Sequence, residues 1–300
     1  AGLAEVLAAV RENFALAADA EVTTESNPES TSPAFFDGLR AAGYTRLSLG
    51  MQSTAPHVLA ALDRVHSPGR APEAAREARR AGFDHVNIDL IYGTPGETDD
   101  DLLRSVDAAV EAGVDHVSAY ALIVEDGTVL ARKVRRGMIA APDDDVVARR
   151  YELLDRRLEE AGLHWYEVSN WSRPEGECRH NVGYWDGGEW WGAGPGAHSY
   201  VAATRWWNVK HPNTYAAMLG QPSLPVAGLE RLDPETSHIE DVMLRVRLRA
   251  GLPTALLTDS ERDRAARAVE DGLLQTASDR LVLTDRGRLL ADAVVRALLG

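Results

Sequence analysis

The sequence predicts an α/β chain built on a βα barrel, followed by a small winged-helix-like α+β region. Three observations carry this. One phrase recurs in "AAGYTRLSLG" (41–50), "RAGFDHVNIDL" (80–90), "EAGVDHVSAY" (111–120) and "EAGLHWYEVS" (160–169), where an amphipathic helix ends, a glycine follows and an apolar strand begins. The strands between these helices set apolar residues against polar ones. From about residue 227 a new register begins, of helices and then two short strands.

Gly43, Gly82, Gly113 and Gly162 each fall where a helix needs a left-handed C-cap. Their recurrence at intervals of roughly 30 to 50 residues is the rhythm of helix–strand units, hence of a parallel sheet with right-handed crossovers. The first helical pattern, "LAEVLAAVREN", leads into a strand at "AEVTTES" (20–26). A helix over 33–42 follows, with Ser32 as cap and Pro33 in its first turn. Helices over 55–65, 72–81, 98–112 and 143–161 obey the same logic, and "TDDD" and "PDDD" place acids in first turns.

Alternation shows which face carries chemistry. Leu47, Leu49 and Met51 alternate with Ser48, Gly50 and Gln52; Val86, Ile88, Leu90 and Tyr92 alternate with Asn87, Asp89 and Ile91. Thr23 and Glu25 share one side of their strand, as do Ser118 and Tyr120. The polar groups gather toward the strands' C-terminal ends, where a βα barrel places its site. A doubly wound sheet is the alternative architecture.

The helix–strand rhythm stops after about residue 163. "CRHNVGYWDGGEWWGAGPGAHSY" (178–200) fits no helix and is too glycine-rich for an ordinary strand pair. Helices over 235–249, 253–256 and 260–270 then lead to "GLLQTASDRLVLTDRGRLLADAVVRALL", which reads as helix, two strands and helix. Without a basic excess this wing is a packing or partner module. The expected divisions are residues 1–165, 166–226 and 227–300.

A net charge of −14 over 300 residues opposes a nucleic-acid surface. No apolar run reaches the roughly 18 residues of a membrane helix, and no secretory signal opens the chain. A single cysteine rules out an internal disulfide framework, which makes a cytoplasmic address the expectation.

"TTESNPES", "RLSLGMQS", "LDRVHSPG", "NIDLIYGTPGET" and "HVSAYALIVEDGT" resemble successive barrel blocks of radical S-adenosylmethionine proteins, in the oxygen-independent coproporphyrinogen III oxidase group. "ECRHNVGYWDGGEWWGAGPGAHSY" is closer to that group's haem-chaperone branch, HemW. The resemblance runs from about residue 20 to the C-terminus. It implies that Glu25, Gln52, Arg64 and Asp89 bind S-adenosylmethionine, with Ile123 as a backbone contact and His198 as a contact from the glycine loop. Chemically the set is coherent: the ligand offers a carboxylate to Arg64, an ammonium to Glu25 and a ribose diol to Asp89 or Gln52.

Members of this family hold a [4Fe–4S] cluster on three cysteines spaced C-x3-C-x2-C. Here only Cys178 is present, so the cluster is expected only in a complete parent. The barrel is read as partial, its opening strands missing, and the non-Met start favours a fragment. No catalytic residue is assigned.

The resemblance also marks His180, Asn181, Tyr184 and Trp185 as a "HNxxYW" signature. His180 is then the candidate axial ligand for haem, Cys178 an alternative thiolate, and Tyr184 and Trp185 candidate walls. The readings that follow are a haem chaperone serving a haem-accepting protein, an oxidative decarboxylase of coproporphyrinogen III, or a catalytically inert truncated relative. A homodimer is left open.

Overall fold

In the computed structural model, which describes residues 2–300, the helix-glycine-strand rhythm becomes one mixed sheet. The molecule has two compact units divided between Glu177 and Cys178. In the first, α1 (Gly2–Asn13) precedes β1 (Thr23–Ser26), and α2 (Pro33–Ala42) leads to β2 (Arg46–Gln52). After α3 (Pro56–Ala61) and α4 (Arg70–Arg80) come β3 (His85–Tyr92), α5 (Asp99–Glu111) and β4 (His116–Ala121). A short α6 (Val129–Arg135) and a long α7 (Asp144–Glu160) precede β5 (His164–Glu167) and β6 (Asn170–Ser172).

Local chemistry sets these limits. Ser32 accepts from the Phe35 N–H to start α2, and Gly43 ends it at φ +102°, a conformation costly for any residue with a Cβ. Thr98 and Asp101 form a reciprocal capping box on α5. The helix expected over 55–65 is shorter than its pattern: it stops at Ala61, and Asp63 turns left-handed at φ +52°. Arg64 therefore lies on a loop and not on a helix face.

Sheet order is β1-β2-β3-β4-β6-β5. The first four strands are parallel. The fifth expected strand does not continue the parallel series. The chain instead folds back, β6 pairing antiparallel with β4 and β5 antiparallel with β6. A two-residue link between β5 and β6 leaves no room for a crossover helix, so the pair must be a hairpin. The sheet is open, with β1 and β5 at its edges. The apolar alternation faces the helices: Leu47, Leu49, Val86, Ile88 and Leu90 are fully buried, and α4 packs on β2 and β3.

Asp115 fastens the entry to this sheet. Its carboxylate accepts from the Val86 N–H at 2.7 Å and lies 2.6 Å from His85 Nδ1. Burial pushes this carboxyl up, but the bonds from His85 and Val86 and the charges of His85 and Arg79 outweigh it, leaving it below the ordinary carboxylate range. Stability from a depressed carboxyl is present above its unfolded pKa of about 3.9 and lost as pH falls through the folded value. Asp115→Asn is expected to cost about 1–3 kcal/mol at pH 7. That deficit against wild type shrinks below about pH 4, as urea midpoints from pH 3 to 7 will show.

The second unit contains α8 (Arg179–Trp185), a sheet of β7 (His198–Val201), β8 (Thr204–Asn208) and β9 (Val226–Arg231), and α9 (Pro212–Leu219) between β8 and β9. Then follow α10 (Pro234–Arg245), β10 (Leu252–Pro253), α11 (Asp259–Glu270), β11 (Leu274–Ala277), β12 (Arg280–Leu283), α12 (Asp285–Leu289) and α13 (Ala291–Leu299). β10, β12 and β11 form a three-stranded antiparallel sheet where two strands were expected, and α11 packs on β11 and on α13.

The segment 178–200 departs from its expectation in both respects. Residues 179–185 form a helix because they contain one glycine only, and the helix stops where Gly187 turns to φ +67°. The segment's end enters an ordinary hairpin, β7 with β8, turned by Ala202 and Ala203 at φ +49° and +56°. The other glycines lie between these two elements. Among the described residues, no helix is long and apolar enough to cross a membrane.

Candidate functional site

Parallel strands that end together bring their last polar residues together. Glu25, Gln52 and Asp89, from β1, β2 and β3, line one open hollow of about 420 Å³ with Ile91, Tyr120 and Ile123. The same three line an adjoining hollow of about 260 Å³ with Ser48, Arg64 and His66. These volumes bracket the lower range of small-molecule sites. Of the residues expected from sequence to act together, Glu25, Gln52 and Asp89 line both hollows, Ile123 the first and Arg64 the second.

Gln52 is held at φ +66°, unusual for a residue with a side chain, and the Ser53 N–H closes back onto the Met51 carbonyl at 2.8 Å. The sheet register shifts between Gly50 and Gln52. A bulge at a strand's C-terminal end re-aims its last side chain, and such strain gathers at functional sites.

Asp89 sits deepest. Ser48 Oγ donates to its Oδ2 at 2.9 Å and Asn87 Nδ2 donates to its Oδ1 at 2.6 Å. Burial raises this carboxyl above the ordinary range; the bonds from Ser48, Asn87 and Ser118 offset only part of that, and the charge of Glu25 adds to it. Tyr120 is raised too, by burial first and then by the charge of Asp89. Ser48, Asn87, Tyr120 and His66 were not singled out as site residues from sequence. The first three lie on the polar side of the alternation, which is the signal that finds them.

Within the second unit, His180, Tyr184 and Trp190 form a run of rings. His180 and Tyr184 meet edge to face with centroids 4.6 Å apart, Tyr184 and Trp190 likewise at 4.6 Å, and Trp190 leans on Tyr200 at 5.2 Å. Helical spacing explains the first pair, since residues four apart share a face. His180 and Tyr184 are exposed, while the indole N–H of Trp185 is buried with no partner. Cys178 is the half-buried N-cap of α8. His198 starts β7 and stacks on Trp207 at 5.9 Å. The Trp207 ring in turn lies across Gly228, 2.4 Å from where a Cβ would stand.

A cluster of iron and sulfur needs several thiolates, and this chain has one cysteine. Among the described residues, no group of three histidines, cysteines or carboxylates is placed to hold a metal ion. The residues present do not fit a [4Fe–4S] cluster, whereas the cavity of Glu25, Gln52, Arg64 and Asp89 has donors and acceptors for a zwitterionic nucleoside.

A sequence model of the Radical SAM superfamily matches residues 2–109. The chain is 71% identical over 298 residues to the heme chaperone HemW of Mycobacterium tuberculosis, covering 99% of this chain and 76% of that protein. It is 30% identical over 292 residues to HemW of Bacillus subtilis, covering 93% and 76%. Coproporphyrinogen III oxidase (HemN) of Escherichia coli, a radical SAM enzyme, superposes over 99% of this chain and 73% of its own. The TM-score is 0.82 at 21% sequence identity, a likeness of fold.

Proposed function

The chain belongs to the HemW family of radical SAM proteins, and on that premise we propose that it is a haem chaperone whose second unit binds haem for transfer to an acceptor protein. The observation that carries this reading is the ring run that ends at the exposed His180, next to Tyr184. An imidazole reachable from solvent beside flat aromatic walls suits a planar macrocycle with a metal seeking an axial nitrogen. Cys178, two residues earlier, and Trp185 belong to the same proposed site.

The first unit's cavity is proposed to bind S-adenosylmethionine. The residues here bind and orient: Glu25 accepts from the ammonium, Arg64 pairs with the carboxylate, and Asp89 and Gln52 take the ribose hydroxyls. The peptide at Ile123 flanks the remaining rim.

Haem titration followed by absorbance tests the first reading. Wild type is expected to show a saturable Soret shift near one haem per chain, and His180→Ala to weaken binding about tenfold or more, the scale of losing one strong directed bond. Saturable binding unchanged in His180→Ala would move the ligand to Cys178 or His198. No saturable binding by folded wild type would overturn the chaperone reading.

A further inference from the structure

A chain of hydrogen bonds runs beneath the Asp89 cavity, and one backbone group fixes its direction. The Ser118 N–H donates to Asn87 Oδ1 at 3.1 Å. A backbone N–H is always a donor, so that side-chain atom is the amide oxygen. His116 Nδ1 lies 2.7 Å from the same oxygen and therefore carries a proton. A neutral imidazole protonated at Nδ1 must accept at Nε2, so the Tyr166 hydroxyl, 2.9 Å away, donates to it. His116 is buried and its pKa is pushed down to about 3, first by burial, so it stays neutral.

With its oxygen pinned, Asn87 presents only its NH₂ group upward. That group has three acceptors for its two protons, Asp89 Oδ1 at 2.6 Å, Ser48 Oγ at 2.7 Å and Ser118 Oγ at 3.0 Å. Ser48 Oγ turns its own proton to Asp89 Oδ2 at 2.9 Å. The donors run one way, Tyr166 to His116 to Asn87 to Asp89, with Ser48 in parallel. Asp89 thus receives Asn87 at Oδ1 and Ser48 at Oδ2 from below, and Ser118 also bonds this carboxyl.

We infer that Asn87, Ser48 and His116 are positioning residues: their network fixes the orientation of the Asp89 carboxylate and leaves it only lone pairs to offer the hydroxyls assigned to it above. The inference rests on the reading of the cavity as an S-adenosyl site and deepens it from occupancy to selectivity. Buried acceptors left without a donor are costly, so a site built to accept from hydroxyls rejects the analogue lacking them.

The test is calorimetric titration of the full chain with S-adenosylhomocysteine and with its 2′,3′-dideoxy analogue. Wild type is expected to prefer the diol by about tenfold or more, from one or two charge-assisted hydrogen bonds. In Asn87→Ala and Ser48→Ala the ratio between the ligands should fall to about threefold or less, since Asp89 is freed to turn. Ser48→Thr keeps the hydroxyl and should restore the ratio. A merely structural role would weaken both ligands alike and leave the ratio unchanged, and that result overturns the inference. If Asn87→Ala does not fold, the two Ser48 variants decide it. Wild type binding both ligands equally overturns the inference alone. Wild type binding neither removes the S-adenosyl reading, and the inference with it.

Discussion

Trp171→Ala is expected to lower the stability of the first unit by about 3–5 kcal/mol, the cost of emptying a large aromatic site in a packed core. Trp171 is fully buried. It stands opposite Val117 on one side and Trp165 on the other. Its ring meets Tyr151 of α7 at 5.6 Å, and its Nε1–H donates to Asp155 at 2.7 Å. The side chain therefore ties the antiparallel hairpin to the long helix above it. Urea unfolding followed by far-ultraviolet circular dichroism measures the change. Trp171→Phe keeps a ring against Tyr151 and should cost less. An alanine variant within about 1 kcal/mol of wild type would mean that the hairpin unfolds apart from the sheet.

That hairpin also marks where the sequence stops being legible. β1 to β4 are readable because each is an apolar alternation launched by a capped helix and a left-handed glycine, signals that act within ten residues. β6 is three residues long and has no room for a period. Its place between β4 and β5 depends on pairings that no local pattern contains, such as Val117 with Trp171. The segment 178–200 misleads for the opposite reason. Its overall glycine content hides a glycine-poor stretch where α8 forms, and a strand pair whose turn uses alanines at positive φ. Composition averages over a boundary that the backbone respects.

The site divides in the same way. Glu25, Gln52 and Asp89 are readable because strand periodicity puts them on one face and parallel register brings their ends level. Arg64 reaches that cavity because Asp63 ends α3 early, a backbone choice that the helical pattern does not reveal. The direction of the Asn87 network is still less accessible. It follows from a Ser118 backbone proton on the neighbouring strand, so it exists only once β3 and β4 are in register.

Arg46→Ala is expected to cost about 3–5 kcal/mol, since removing one partner of a buried pair leaves the other charge poorly compensated. Arg46 opens β2, and its side chain is 2% exposed. Nε donates to Glu21 at 2.9 Å, and Nη2 donates to the carbonyls of Gly176 and Glu177 at 2.8 and 2.9 Å. One guanidinium thus clasps the segment before β1 to the segment after β6, across the strand-entry end of the sheet. An Arg46→Met, Glu21→Leu double variant removes both charges and should recover much of the loss. It should stay about 1–3 kcal/mol below wild type, because the two carbonyls still lack their donor. Denaturant unfolding of the three proteins separates the pair from the clasp. Arg46 and Gln52 stand at opposite ends of β2, about 20 Å apart at strand rise. Folded Arg46→Ala should therefore bind S-adenosylhomocysteine within about twofold of wild type, because stability and ligand binding are divided between the two ends of the strands. A large loss of affinity in that variant would show instead that the clasp at the entry end sets the geometry of the cavity at the exit.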